Sequence, residues 1–246
     1  MAQVSVILLA AGKSSRFGGG DKKPFALLDN RPLFLRSTEH FITRTEVTQS
    51  LLVIAAEDEE FVRRRYGANL AFMNITIVVG GAERHDSVSN ALAKVSPEAQ
   101  FVAIHDTARP CVTTDQIEAV FNAARAHGAA LLAAPVTDTL KRVDGSRTIT
   151  STVDRSGLWL AQTPQVFRRE WIIAAYEHRS KVSQTITDDA QLVEALGHKV
   201  HIVESSLSNL KVTTHSDLRL AEAILKSQPR TKSSGPTHPF AAEAQW

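Results

Sequence analysis

The 246-residue sequence contains a single cysteine, Cys111, only 6% aromatic residues, and no long apolar run. One cysteine can form no internal disulfide, so we expect a chain that folds in a reducing compartment. The most apolar windows, such as Val4–Ala11 and Ala129–Val136, span eight residues, whereas a bilayer-spanning helix needs roughly 20. We therefore expect a cytoplasmic protein that has no membrane span and no secretory leader.

Neither sign of charge predominates, because 28 basic and 26 acidic residues leave a formal net charge of only +2. Residues 226–246 carry this whole excess, so the rest of the chain is neutral. A neutral body lacks the clustered basic face that is typical of nucleic-acid-binding proteins. The nine histidines include no His-x-x-x-His pair, and we expect no metal centre built from protein side chains alone.

Short β-branched apolar runs alternate with longer amphipathic stretches, which is typical of β-α units on a mostly parallel sheet. The predicted strands are Val4–Leu9, Leu51–Ala55, Ile75–Val79, Phe101–His105, Ala129–Ala134, His198–Glu204 and Asn209–Val212. The predicted helices are Pro32–Ile42, Asp58–Arg65, Asp86–Val95, Thr114–His127, Arg168–Arg179, Asp188–Leu196 and Ser216–Lys226. For the fourth helix we expect Thr114 or Asp115 as the N-cap and Gly128 as the stop.

This pattern predicts an α/β fold, a twisted, mostly parallel sheet with helices on both faces, in one Rossmann-like domain over residues 1–226. Residues 227–246 contain three prolines and no periodicity, which favours a disordered tail. Residues 136–160 interrupt the alternation with two β-rich runs around Asp144-Gly145, which is typical of a hairpin arm. Because an isolated two-stranded arm is marginally stable, it should fold back or pair with a second chain. We therefore expect a homodimer.

The loop after the first strand carries the strongest chemical signal. Ala10, Ala11 and Gly12 are small enough for backbone N–H groups to approach an anion at the sheet edge. Arg16 and the pair Lys22-Lys23 add positive charge. The loop matches neither the Walker pattern nor the Gly-x-Gly-x-x-Gly dinucleotide fingerprint, which argues against a nicotinamide-dependent oxidoreductase. On the residues alone, a surface loop without a ligand is the alternative.

The pattern Ala-Ala-Gly-x-x-x-Arg-Phe-Gly, followed by Lys-x-Phe, resembles the signature of the cytidylyltransferases, and most closely of those that act on 2-C-methyl-D-erythritol 4-phosphate. The resemblance covers about residues 4–226 and selects Lys23 over Lys22. Further blocks match in the family's order: Gly80–Val88, His105–Pro110, Thr152–Trp159, Gln162–Gln165, Thr187–Asp189 and Asn209–Thr213. The chain departs from the pattern at Ser14, where glycine is usual, at Pro24, where glutamine is usual, and at Ala82, where an acidic residue is common.

The resemblance implies transfer of CMP from CTP to methylerythritol phosphate, with Mg²⁺ bound mainly through the CTP phosphates. It implies catalytic roles for Arg16, Lys23 and Lys211. The residues implied in CTP binding are Ala10, Ala11, Gly12, Gly81, Ala82, Ser87 and Thr107. The residues implied in substrate binding are Asp106, Arg109, Thr139, Arg155, Thr163 and Thr187, of which Asp106 is also the candidate metal ligand. Arg155 is expected to reach the active site of the partner subunit.

Alternatives remain for individual residues and for the whole chain. Ser87 reads equally well as a helix cap, Asp106 and Arg109 as an ion pair with each other, and Arg155 as a solvated side chain. His105 is better explained by packing at a strand end than by a role as a base. A cytidylyltransferase for ribitol 5-phosphate would need the same loops, and a nucleotide-binding module without turnover is the alternative from another class.

Overall fold

The computed structural model describes residues 2–12, 17, 22–182 and 185–228. Arg16, Ser14 and almost all of the expected tail lie outside the described residues. The helices are α1 Leu33–Ile42, α2 Glu59–Phe72, α3 Arg84–Leu92, α4 Thr114–His127, α5 Arg169–Glu177, α6 Ala190–Ala195 and α7 His215–Ser227. The strands are β1 Val4–Leu9, β2 Leu27–Leu28, β3 Arg31–Pro32, β4 Val47–Ile54, β5 Ile75–Val79, β6 Phe101–Asp106, β7 Ala129–Pro135, β8 Leu140–Val143, β9 Ile149–Val153, β10 Trp159–Arg168 and β11 His201–Glu204.

The main sheet has the strand order β11-β7-β10-β6-β1-β4-β5. Strand β1 is parallel to both β4 and β6, and β10 runs antiparallel to its neighbours β6 and β7. The chain passes from β1 through β4 to β5 on one side and then returns to place β6 on the other side of β1. The sheet edge beyond β1 and β6 is therefore a topological switch point, where open α/β sheets bind their ligands.

Helices cover both faces of the sheet. Successive side chains of each strand point to opposite faces, so both faces carry apolar side chains that must be buried. On one face, α1, α2 and α4 bury Phe34, Phe121 and their neighbours against Val6 and Leu8 of β1. On the other face, α3, α5 and α6 pack on the opposite side chain of β1, Ile7. The predicted fold class, a mostly parallel sheet between two helical layers, is confirmed.

The hairpin expected within residues 136–160 is present as β8 and β9, which pair in antiparallel register from Leu140↔Val153 to Val143↔Ile149. The chain rejoins the main sheet at β10, where Trp159 pairs with Pro135. Within the described ranges, no helix is long and apolar enough to cross a membrane.

Several sequence predictions are wrong in detail. Strand β4 begins at Val47 rather than Leu51, and α3 spans Arg84–Leu92 rather than Asp86–Val95. The helix expected at Asp58–Arg65 continues to Phe72, and the N-cap of α4 is Thr113, whose side chain accepts a hydrogen bond from Gln116 N. The segment Asn209–Val212 is not a strand but an irregular stretch held by long-range hydrogen bonds. Gly128 does end α4, with φ +91°, a left-handed conformation that glycine adopts without a steric penalty.

Candidate active site

The largest concentration of sequence-predicted site residues lies where β1, β5 and β6 end. A cavity of about 310 Å³ opens there. Its lining includes Leu9, Ala10, Ala11, Gly12, Lys23, Pro24, Gly81, Ala82, Arg84, Ser87, Asp106, Thr107 and Lys211. Every residue that was expected to bind CTP is therefore found on this cavity, together with two of the three expected catalytic residues; the third, Arg16, lies outside the described residues.

Hydrogen bonds hold the end of β1 and the loop after it against β4 and the end of β6. Ala10 N donates to Val53 O at 2.8 Å. Thr107 donates from both its N–H and its hydroxyl to Leu9 O, at 3.0 and 2.8 Å. These hydrogen bonds join the end of β6 to the end of β1. Thr107 is only 2% exposed, so its hydroxyl helps to hold the wall of the cavity together.

The loop between β5 and α3 is fixed from inside by Ser87. The Ser87 hydroxyl accepts a hydrogen bond from Gly81 N at 3.1 Å and donates to Glu83 O at 3.1 Å. The N-cap of α3 is Glu83, which forms a reciprocal capping box with Asp86. A Cβ on Gly81 would lie 2.4 Å from Asp86 Cβ, so this tight loop excludes a side chain there. Ser87 is thus a brace inside the first turn of α3 rather than its cap.

Asp106 is an acidic residue of the cavity that lies between two cationic side chains. Its carboxylate lies 2.5 Å from Lys211 Nζ and 3.4 Å from Arg84 Nε. Burial alone would raise the pKa of Asp106, but the charges of Arg84 and Lys211 hold that pKa below its ordinary value. Asp106 is therefore ionised and keeps both cations at the cavity. The Asp106–Arg109 ion pair, which was the alternative to substrate binding, is not the contact that the Arg109 side chain makes, since it donates to Asn209 O at 2.7 Å.

Arg84 and Asp189 form a partly buried ion pair that no sequence motif predicted. Two Arg84 nitrogens bind the two oxygens of Asp189 at 2.9 and 2.7 Å, and Tyr176 donates its hydroxyl proton to Asp189 at 2.6 Å. Burial would lower the pKa of Arg84, yet Asp189 and Asp106 raise it above the ordinary value. This arrangement fixes the first residue of α3 to α5 and α6 and orients its guanidinium toward Asp106. Both residues belong to blocks that matched the family pattern, and their adjacency to Ser87 and Thr187 was the available signal.

The structure also separates Lys22 from Lys23. Lys23 lines the cavity, whereas the ammonium group of Lys22 bonds to the carboxylate of Asp58 and lies 3.6 Å from Glu57. The lysine that the spacing selected is the one at the cavity.

The residues expected to bind the second substrate are dispersed. Thr163 is buried behind the site, where its hydroxyl accepts a hydrogen bond from Asp106 N at 3.0 Å. Thr187 is exposed and lines a separate cavity of about 390 Å³. Thr139 and Arg155 are exposed at the base of the hairpin, before β8 and after β9. In the single chain, these residues do not converge with Lys23.

His105 is a packing residue in this structure. It is fully buried against Phe41, with ring centroids 5.0 Å apart, and its ring nitrogens contact Thr163 Oγ1 and Arg109 O. Burial lowers the pKa of His105 to about 3, so the imidazole is neutral at physiological pH.

Comparison with known proteins agrees with this architecture. The family described as IspD, 2-C-methyl-D-erythritol 4-phosphate cytidylyltransferase, matches residues 4–227. A protein with that enzyme name from Rhodopirellula baltica is 43% identical over 236 residues, covering 91% of this chain and 95% of the relative. Another from Alkaliphilus oremlandii is 38% identical over 229 residues, covering 93% and 97%.

A solved structure extends the likeness to three dimensions. The 4-diphosphocytidyl-2C-methyl-D-erythritol synthase from Anaerococcus prevotii superimposes with a TM-score of 0.76 at 30% identity, covering 92% of this chain and 99% of that one. The matched span includes every described residue of the cavity, from Leu9 to Lys211. The chain belongs to the 2-C-methyl-D-erythritol 4-phosphate cytidylyltransferase family.

Proposed function

We propose that this chain transfers CMP from CTP to 2-C-methyl-D-erythritol 4-phosphate, giving 4-diphosphocytidyl-2-C-methyl-D-erythritol and pyrophosphate, in the formation of isoprenoid precursors. The observation that carries the proposal is the cavity lined by Lys23, Arg84 and Lys211, where Arg84 and Lys211 contact the ionised carboxylate of Asp106. Cations held at a sheet switch point suit a reaction between two phosphate groups. The substrate CTP and the reducing context of a single buried cysteine favour the cytoplasm as the location.

The chemistry requires positioning and positive charge more than proton transfer. A phosphate oxygen of the acceptor, already anionic at neutral pH, attacks the α-phosphorus of CTP, and the bond from that phosphorus to the bridging oxygen breaks as pyrophosphate leaves. Lys23, with Arg16 of the same loop, stabilises the charge on the α-phosphoryl group and the leaving pyrophosphate. Lys211 supplies charge for the acceptor phosphate, and Asp106 holds Lys211 in place until substrate arrives.

The cytosine ring is assigned to the loop that Ser87 braces. Gly81 and Ala82 present backbone to the cavity, and neither side chain offers a polar group. Recognition of the base through the main chain is therefore consistent with Ala82 at a position where an acidic residue is common in the family. Ala10, Ala11 and Gly12 after β1, and Thr107 after β6, would contact the ribose and phosphates.

Divalent metal binding rests on one carboxylate. Within the described ranges, no cluster of three or more His, Cys, Asp or Glu residues is present. Two carboxylate residues line the cavity, Glu83 and Asp106. Glu83 is the N-cap of α3, and Asp106 is the residue assigned to an ion such as Mg²⁺ that is held mainly by triphosphate oxygens. Such an ion would neutralise phosphate charge, and Asp106 would be its protein ligand. Omission of Mg²⁺ should abolish turnover, while the protein's unfolding temperature should stay unchanged without nucleotide.

A homodimer accounts for the dispersed substrate residues. The hairpin and its junction with β10 expose Val143 (50%), Ile149 (60%) and Leu160 (47%), and exposed apolar side chains on a two-stranded arm favour pairing with another chain. The arm would carry Arg155 to the partner's site, where its guanidinium would contact the acceptor phosphate. Sedimentation at micromolar concentration should give a dimer; a monomer with full activity would contradict the arm's role.

Arg155→Ala should raise KM for the acceptor about tenfold or more and leave KM for CTP nearly unchanged, because Arg155 is assigned only to the second substrate. Arg147→Ala, a change of equal charge at the hairpin turn, is the matched control and should leave both constants unchanged. An unaltered acceptor KM in Arg155→Ala would remove Arg155 from the site.

The decisive test of the reaction is pyrophosphate release from CTP and Mg²⁺ with methylerythritol phosphate or ribitol 5-phosphate offered separately. Release with the first compound alone is expected. Release with ribitol 5-phosphate alone would reassign the acceptor, and release with neither would favour a nucleotide-binding module without turnover.

A further inference from the structure

Lys22 is a cation beside Lys23 that the proposed reaction leaves unused. Its ammonium group is bound by the carboxylate of Asp58, with Glu57 as a second acidic neighbour. Asp58 is only 6% exposed, so one member of this ion pair is buried. The hydrogen bond to Asp58 raises the pKa of Lys22 above its ordinary value. Lys22 is thus a charged side chain that faces α2 rather than the cavity.

Asp58 binds Lys22 and does not cap α2 with its side chain. It is the residue before the first residue of α2, where an aspartate normally accepts hydrogen bonds from the backbone of the first turn. Its side chain makes no such capping bond. The carboxylate lies at the N-terminal end of α2, and its oxygen accepts a hydrogen bond from Lys22.

A second anchor lies on the other side of Lys23. Residues Lys23–Phe25 form a single 3₁₀ turn that contains Pro24. The ring of Phe25 packs on Phe61 and Tyr66 of α2, with centroids 5.1 and 6.4 Å away. Lys23 therefore stands between two residues that are both fastened to the same helix.

We propose that Asp58 and Lys22 form a clamp that positions Lys23 at the α-phosphoryl group, so that both are positioning residues for nucleotidyl transfer and Lys22 is not a phosphate ligand. The inference rests on the proposed function, which assigns Lys23 to the transition state. Displacement of a charge-stabilising group by an ångström can cost up to about a hundredfold in rate. Because Phe25 still holds the other side of the turn, loss of the clamp should cost less than this.

The test measures kcat and KM for CTP in Lys22→Met, Asp58→Asn and the double variant. We expect each single variant to lower kcat about tenfold with less than about a twofold change in KM for CTP, since Lys23 acts in the transition state. The double variant should match the singles, because partners in one unit are not additive. Lys22→Arg, which can keep the pair, should restore kcat to within about twofold of the wild type.

The unfolding temperature separates positioning from folding. A partly exposed ion pair contributes little net stability, so each variant should unfold within about 3 °C of the wild type. Glu59→Gln is the matched control, because it removes one negative charge from the adjacent residue, whose partner is Arg63 on the exposed face of α2 at 2.8 Å. It should leave kcat unchanged.

Asp58→Asn distinguishes the two roles open to Lys22. If Lys22 were itself a phosphate ligand, releasing it from Asp58 would preserve or raise kcat while Lys22→Met lowered it, and that pattern would overturn the clamp. Normal kcat in both single variants, or a fall that tracks a lost unfolding temperature, would also overturn it. A wild-type protein that releases no pyrophosphate would overturn the proposed function itself, and with it this inference.

Discussion

Replacement of Asp189 by asparagine should destabilise the fold by about 3 kcal/mol. The Asp189 carboxylate is fully buried and accepts two hydrogen bonds from Arg84 and one from Tyr176. Asparagine keeps the shape but loses the charge and turns an amide donor toward other donors. Breaking a buried ion pair by removing one partner costs about 3–5 kcal/mol. The lower end applies here because the Arg84 side chain is 32% exposed and keeps Asp106 as a neighbour.

The measurement is thermal unfolding followed by circular dichroism. In a domain of this size, 1 kcal/mol corresponds to about 2–4 °C, so Asp189→Asn should lower Tm by about 6–12 °C. Glu170→Gln on α5 is the control. Glu170 is exposed, and its ion pair with Arg168 is at the surface, 3.6 Å long, so this substitution should move Tm by less than 2 °C. A Tm of Asp189→Asn within 2 °C of the wild type would refute the assignment of this pair as a structural brace of the site.

Three further outcomes are expected. Lys23→Met should lower kcat about 10²–10³-fold, as for other preorganised charges, and normal turnover would show that the wrong lysine had been chosen. Burial lowers the pKa of His105 from 6.5 to about 3, so its contribution to stability is complete above pH 6.5 and is lost as the pH falls toward 3. His105→Gln should therefore reduce the acid-dependent loss of unfolding free energy between pH 6.5 and 4.5 by about 2 kcal/mol; denaturant titrations with the same pH slope as the wild type would contradict this. Gly128→Ala should lower the free energy of unfolding by about 2–3 kcal/mol, because φ is +91° and the new Cβ would lie 2.3 Å from the Trp171 ring. An unchanged denaturant midpoint and unchanged tryptophan fluorescence would count against this.

Regular β-α units were predictable from the sequence because their side chains repeat with the period of the element. Strand β10 escaped prediction for the opposite reason. Its centre, Gln162–Gln165, is polar and contains a proline, so it lacks the pattern of a buried strand. These side chains are nevertheless buried with partners: Gln165 bonds to Asp188 and to Ala190 N, and Thr163 bonds to Asp106 N. Buried polar residues carry no periodic signal, and only their distant partners explain them.

The segment Asn209–Val212 shows the converse error. Its alternation of polar and apolar residues is typical of a strand, but Asn209 directs its amide to Gln162 and Thr163, and Val212 N donates to Ala108 O. These long-range contacts replace a β ladder and leave Lys211 facing the cavity. The local pattern could not distinguish the two outcomes, because the partners Gln162, Thr163 and Ala108 are distant in sequence.

The cavity residues were predictable to the extent that they lie on motifs at the ends of predicted strands. The partners that hold them were not, because Arg84 and Asp189 are separated by 105 positions, as are Asp106 and Lys211. A single sequence gives no information about which charges meet across such distances. The pair of Lys22 and Asp58, 36 positions apart, could not be predicted for the same reason. The sequence showed only that one of the two adjacent lysines was not needed for phosphate binding.

The near-zero charge of the body does not reveal the charges at the cavity. Two cations of the cavity each have a carboxylate partner: Arg84 has Asp189, and Lys211 has Asp106. Paired cations cancel in the net charge, yet each partner holds its cation in one position before substrate arrives. A preorganised charge needs no rearrangement during reaction and stabilises a transition state more effectively than a mobile one. Phosphate recognition in this chain is therefore a property of fixed local pairs, which total charge does not reveal.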